Sequence, residues 1–155
     1  MSSSISNIYI TQNVTLITLT NVPYDIKTKA EIFSSLAEAD INIDMISQTS
    51  PLKNDINISF SLMDSDLFNA IQVLKTFKSS ISNLRIEVNS NNTKVGLFSE
   101  EMRNTPGIFA ETLNIFANAN IEIKMITTSE VEIAYLIYSS DENKALNLLK
   151  SKYNL

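Results

Sequence analysis

The spacing of hydrophobic positions switches repeatedly between a period of two and one of about 3.6 along the chain. A short apolar run, Ile8-Tyr9-Ile10, predicts a strand after a polar start, and the β-branched run VTLITL at 14–19 predicts a second. Asn21, Pro23 and Asp25 predict a turn. Ala30, Phe33, Leu36, Ala37 and Ala39 then fall at helical spacing and predict a helix over 29–39. Ile41, Ile43 and Met45 alternate with Asn42 and Asp44, which predicts a strand. A polar stretch containing Pro51 leads to a further alternating strand through Ile56, Ile58, Phe60 and Leu62. Ser65 and Asp66 are expected to cap a helix carrying Leu67, Ala70, Ile71, Leu74 and Phe77, and Leu84, Ile86 and Val88 predict the next strand.

The polar stretch NSNNT at 89–93 reads as a turn and as the best internal boundary. Beyond it the elements begin again. A strand at 94–98 leads to a helix opened by Thr105-Pro106-Gly107, with Thr105 as cap and Pro106 at the first helical position. That helix runs to about Ala119. Alternating strands follow through Ile121, Ile123 and Met125 and through Val131, Ile133, Tyr135 and Ile137. Asp141 is expected to cap a last helix over Ala145, Leu146, Leu148 and Leu149.

The recurrence is also written in the residues. AEIFSSLAEADINIDMI (30–46) and AETLNIFANANIEIKMI (110–126) align without a gap. Identities fall at Ala30/Ala110, Glu31/Glu111, Ala37/Ala117, Ala39/Ala119, Ile41/Ile121, Ile43/Ile123, Met45/Met125 and Ile46/Ile126. A duplicated unit fixes the architecture before any single residue does. The first copy reads β-α-β-β-α-β; the second reads β-α-β-β-α and lacks its last strand. The strand near Ile8 is free to supply it. The expected fold is therefore α+β: two ferredoxin-like βαββαβ domains, antiparallel sheets with helices on one face. Residues 12–90 form the first and 91–155 the second, completed by the N-terminal strand from 1–11. An uncovered edge strand argues for that closure; a frayed N-terminus beside a three-stranded second sheet is the other arrangement.

Composition narrows the chemistry. An apolar fraction of 44% over 155 residues supports a packed core. The net charge of −5 is spread along the chain and the basic residues are single, which excludes a nucleic-acid footprint. No apolar run approaches the roughly 20 residues of a membrane span, and the polar start MSSSISN is unlike a signal peptide. With no cysteine, a cytoplasmic setting is expected. There is no histidine and no cysteine, so imidazole bases and the usual metal ligands are missing, and no metal is expected. The two glycines, Gly96 and Gly107, cannot build a glycine-rich phosphate loop. No catalytic residues and no cofactor are expected. Asp44 and Glu122 as an acid/base pair are outweighed by their reading as solvated strand positions, and Met45 and Met125 read as core.

Three segments are recognisable in order: NIDMI-x-Q at 42–48, M-R-x-x-P-G at Met102 to Gly107, and MITTSE at Met125 to Glu130. With ISNIYITQNVTLITLTNVP at 5–23, they resemble the regulatory half of aspartokinases, a tandem of ACT domains that sense amino acids. The resemblance covers nearly the whole chain. In that family a kinase domain precedes this region and carries the catalytic residues. The resemblance thus implies either a free regulatory polypeptide or a piece of a longer chain, with an aspartokinase catalytic domain or subunit as partner.

The resemblance further implies an effector, lysine or threonine, held where the strand-to-helix turn of one ACT domain faces a strand of its partner. Helix N-terminal N–H groups would hold the carboxylate, and side-chain carboxylates, amides and strand carbonyls the ammonium. The residues so implicated are Tyr24, Asp25, Lys27, Asn42, Ile43, Asp44, Gln48, Asn120, Ile121, Glu122 and Ile123, with Pro106 and Gly107 at the second turn. The first turn departs from the family's D-x-P-G: Tyr24 stands at the Asp position, and Ile26 and Lys27 at Pro and Gly. Asp25 is adjacent and a candidate to replace the lost carboxylate. Glu122 replaces a common Asn, a change favouring a nearby cation. Two readings follow: a non-catalytic regulatory module for feedback control, or a dimerisation module with a degenerate ligand site. In both, side-by-side pairing into a homodimer is the simplest closed form.

Overall fold

The computed structural model describes residues 4–155. Residues 1–3 of the 1–11 segment lie outside the described residues. The chain folds as two compact units: a contiguous one, Val14–Ser90, and a split one made of the chain up to Asn13 together with Asn91–Leu155.

In the contiguous unit, β1 (Asn7–Pro23) leads into α1 (Ile26–Glu38), then β2 (Ile46–Gln48), β3 (Asp55–Met63), α2 (Leu67–Lys75) and β4 (Arg85–Phe98). Its strands lie in the order β2-β3-β1-β4. β3 pairs antiparallel with both neighbours, Ile17 opposite Phe60 and Ser47 opposite Ser59. Ile17, Leu19 and Val22 of β1 and Ile56, Ile58 and Phe60 of β3 pack with Ile32, Leu36, Ala70 and Leu74 of the helices. The helical face of α1 centres on Ile32 and Leu36; Ala30 and Ala37 are exposed.

The split unit repeats this plan. β4 leads to α3 (Ile108–Asn118), β5 (Ile123–Thr128), β6 (Glu132–Tyr138) and α4 (Glu142–Tyr153), with strand order β1-β4-β6-β5. β6 is antiparallel to β4 and β5. Val95, Leu97, Ile133, Tyr135 and Ile137 form one wall of the core and Ile108, Phe116, Ala145 and Leu149 the other. Ser6 N–H donates to the carbonyl of Phe98 at 2.9 Å, which ties the N-terminal segment to this unit. Both units are α+β with antiparallel strands and helices, as expected.

Several boundaries differ from the sequence pattern. The two strands expected at 8–10 and 14–19 are one strand, β1, and it continues through Asn21. NSNNT is not a turn: β4 runs straight through it. Asparagine signals a turn because it tolerates positive φ. Here that tolerance is used inside continuous strands, with φ of 58° at Asn13, 62° at Asn21 and 63° at Asn91. Asn92 and Thr93 are fully buried and accept and donate bonds, from Lys124 Nζ (2.5 Å) and to Glu142 (2.7 Å) respectively. The strand expected from Ile41 begins only at Ile46.

Three expected caps are also corrected. Asp66 and Asp141 stand before α2 and α4 with near-helical dihedrals at the end of 3₁₀ turns, and neither side chain caps. A side chain reaches back to the first amides when the cap residue is extended, which these are not. α3 begins at Ile108 rather than Pro106, and its cap is Gly107 at φ 97°.

Candidate functional site

The two strand-to-helix turns are built differently. In the contiguous unit Asp25 is extended (φ −145°, ψ 124°) and caps α1. Its carboxylate accepts from Thr28 Oγ1 at 2.8 Å, Thr28 N–H at 3.1 Å and Lys27 N–H at 3.4 Å. The Thr28 hydroxyl first, then these amides, hold the Asp25 carboxyl below its ordinary range. The chain therefore fills its own anion seat at the start of α1. Lys29 Nζ donates to Gln48 Oε1 at 2.6 Å, so Gln48 does meet this first turn. Tyr24 is bonded through its N–H to Asn54 and leaves its ring exposed.

In the split unit no side chain caps α3, because Gly107 has none. The N–H groups of a first helical turn have no partners within the helix, and they carry its positive end. Gly107, Ile108 and Phe109 line a cavity of about 770 Å³. The preceding 3₁₀ turn, Glu100–Arg103, contributes Met102 and Arg103; the end of β5 contributes Ile126 and Thr128, and the turn into β6 contributes Ser129 and Glu130. Ser99 N–H donates to the Val131 carbonyl at 2.8 Å, which brings these two turns together. Across the cavity wall Arg103 Nη1 lies 2.5 Å from Glu130 Oε2, and Arg103 Nε lies 3.4 Å from Glu100. Phe109 stacks on Tyr135 with ring centroids 6.4 Å apart. The Tyr135 and Thr112 hydroxyls bond each other beneath it, and burial pushes the Tyr135 phenol up.

An uncapped helix start, a guanidinium, a carboxylate and an apolar wall can hold a small zwitterion. The guanidinium and amides suit a carboxylate and Glu130 suits an ammonium. The remaining expected residues stand elsewhere. Asn42, Ile43 and Asp44 occupy the connector before β2, where Ile43 packs on the core and Asp44 N–H donates to Ser61. Asn120 adopts φ 55° just past α3, and Ile121 N–H closes the helix end on Phe116. That is the end of α3 away from the cavity, about 16 Å along a helix of this length. Ile121 is buried in the core, Ile123 packs against it, and Glu122 is exposed. Gly107 lines the cavity; Pro106 directly precedes it.

Arg103, Thr128, Ser129 and Glu130 were not singled out by their chemistry in the sequence. Their signal was present: M-R-x-x-P-G and MITTSE converge on one cavity although they are far apart in the chain. Among the described residues no cluster of three metal-ligating side chains occurs, and no helix is long and apolar enough to cross a membrane.

The ACT domain family model matches residues 21–76 and 95–153. Aspartokinase 2 of Bacillus subtilis is 32% identical over 92% of this chain, which spans 35% of that protein. A solved structure of aspartokinase alpha and beta subunits superposes with a TM-score of 0.87 at 26% identity, covering 97% of this chain and 99% of that one. The structure of Escherichia coli aspartokinase III in complex with lysine and aspartate shares the fold, with a TM-score of 0.76 at 22% identity over 97% of this chain and 33% of that one. The chain thus spans about a third of the length of the curated relatives it matches.

Proposed function

The chain belongs to the ACT domain family, and from that premise we propose that it is the amino-acid-sensing regulatory part of an aspartokinase system. It binds a free amino acid and biases an aspartokinase catalytic domain or subunit, giving feedback control of aspartate-family biosynthesis. The observation that carries this reading is the cavity at the uncapped start of α3, flanked by Arg103 and Glu130. Lysine and threonine are the first effectors to test, lysine because a relative of this fold has been solved with it.

Effector binding works by differential affinity for two arrangements of the regulator. Here the ligand has to displace the Arg103–Glu130 contact, so both side chains reorient on binding. The N-terminal strand completing the split unit, and pairing into a homodimer, belong to the same proposal.

Calorimetry of the folded chain against lysine, threonine and other amino acids tests the reading. A saturable heat is expected, and Arg103→Gln is expected to weaken it at least tenfold through loss of a charged hydrogen bond. Absence of binding at millimolar ligand for every amino acid sinks it. The second reading, a dimerisation module with a degenerate site, is favoured by the Asp25 carboxylate on the α1 amides. Ligand-independent dimerisation in light scattering, with no shift in melting across the panel, supports that alternative.

A further inference from the structure

The composition of the cavity wall carries the ligand question further. Among the described residues that line it, Arg103 and Glu130 are the only charged groups. They are matched to each other at 2.5 Å, and Arg103 also lies 3.4 Å from Glu100, which stands outside the lining. Met102, Ile108, Phe109, Ile126 and Ile133 make up most of the rest. Phe109 and Ile126 stand out because they are 40% and 37% exposed, large apolar side chains held open to solvent beside the charged pair.

Resting on the amino-acid reading above, we infer that the cavity selects a zwitterionic amino acid with an uncharged, apolar side chain of leucine or methionine size. The apolar lining decides against a cationic side chain. One guanidinium and one carboxylate satisfy one α-carboxylate and one α-ammonium. A lysine brings a second ammonium against the apolar side chains of Phe109 and Ile126, while Glu100, the other carboxylate beside Arg103, stands outside the lining; a charge pressed on an apolar wall loses water without gaining a partner. Size decides against a short side chain. Each methylene placed against Phe109 and Ile126 favours binding by about fourfold, the equivalent of its transfer out of water. Threonine offers one methyl and a hydroxyl; leucine, isoleucine and methionine cover both exposed side chains.

The test is calorimetry of the whole chain with L-leucine, L-methionine, L-isoleucine, L-threonine and L-lysine at fixed ionic strength. The apolar three are expected to bind at least tenfold more tightly than lysine and several-fold more tightly than threonine. Ile126→Glu places a second carboxylate in the lining itself, at an exposed position of β5, and is expected to move the preference at least tenfold toward lysine; Thr128→Glu serves if the first variant fails to fold. Wild-type binding of lysine as tight as that of leucine overturns the inference while leaving amino-acid sensing intact. So does an unchanged ratio in both folded variants. Failure of every amino acid to bind removes the sensing proposal itself, and this inference with it.

Discussion

Gly96 shows how one residue can be fixed by the side chain across from it. A Cβ built on Gly96 would lie 1.9 Å from the ring of Tyr9. The Tyr9 hydroxyl bonds Glu132 on β6, and Lys94 Nζ sits 5.4 Å from the ring centroid. The ring therefore takes the space a side chain at position 96 would need and is tethered through its hydroxyl to β6, holding the N-terminal strand to the split unit. Gly96→Ala is expected to destabilise the chain by about 1–3 kcal/mol, the usual cost of overpacking. Tyr9→Ala in the same chain should recover part of that loss, because it removes the clashing ring; a chemical-denaturation double-mutant cycle measures the coupling. Additive effects would show that the ring and the glycine are not matched. A second residue-scale prediction concerns Tyr153. Burial first, then its bond to Glu111, raises its pKa above the ordinary tyrosine range. A folded pKa above the unfolded one means stability that is intact below pH 10 and is lost as pH rises beyond it. Tyr153→Phe should flatten the fall in melting temperature above pH 10 relative to wild type, while costing some stability at neutral pH through the lost bond.

At the scale of elements, the two strand-to-helix turns differ in a way that mutation can exchange. Asp25 seats its own carboxylate on the start of α1, whereas α3 has only Gly107 there. Asp25→Ala is expected to lower the melting temperature without altering the amino-acid binding proposed above, since the cavity lies on the other unit. Its folded pKa is lowered, so its stabilisation holds above the ordinary carboxyl range and is lost as pH falls through it. The melting difference between wild type and variant should accordingly shrink in acid, and a difference that grew there would contradict the cap. These turns also mark how much could be read without coordinates. The βαββα order, the repeat and the core strands were legible because period and identity both report burial. Helix starts were not. Thr105 and Pro106 carry an N-terminal signature, yet Gly107 at φ 97° takes the cap position and moves the start to Ile108. NSNNT misled for a related reason: in a chain with two glycines, asparagine takes left-handed positions within strands as well as at turns. The cavity was half legible. Its two motifs stood out as patterns, but only folding places Arg103 beside Glu130.

For the whole molecule, the decisive fact is that β1 and β4 pass from one unit into the other without a break. Residues up to Asn13 of β1 belong to the split unit and those from Val14 to the contiguous one; β4 divides in the same way between Ser90 and Asn91. Neither unit can unfold without releasing part of two strands whose remainder belongs to the other unit. Strand pairing is cooperative along a ladder, so the chain is expected to melt in a single transition despite its two cores. A ligand in the split unit then stabilises the whole. At a free concentration of 100 times its dissociation constant it adds about 2.7 kcal/mol, which for a chain of this size raises the melting temperature by roughly 5–10 °C. Calorimetric melting should show one peak that moves intact. Hydrogen exchange should slow at Ile17 and Leu74, deep in the contiguous core, as well as at Phe116 in the core of the split unit. Two peaks, only one of them moving, would mean that the shared strands do not couple the cores. A single moving peak makes β1 and β4 the physical route by which an event at the α3 turn reaches the rest of the chain.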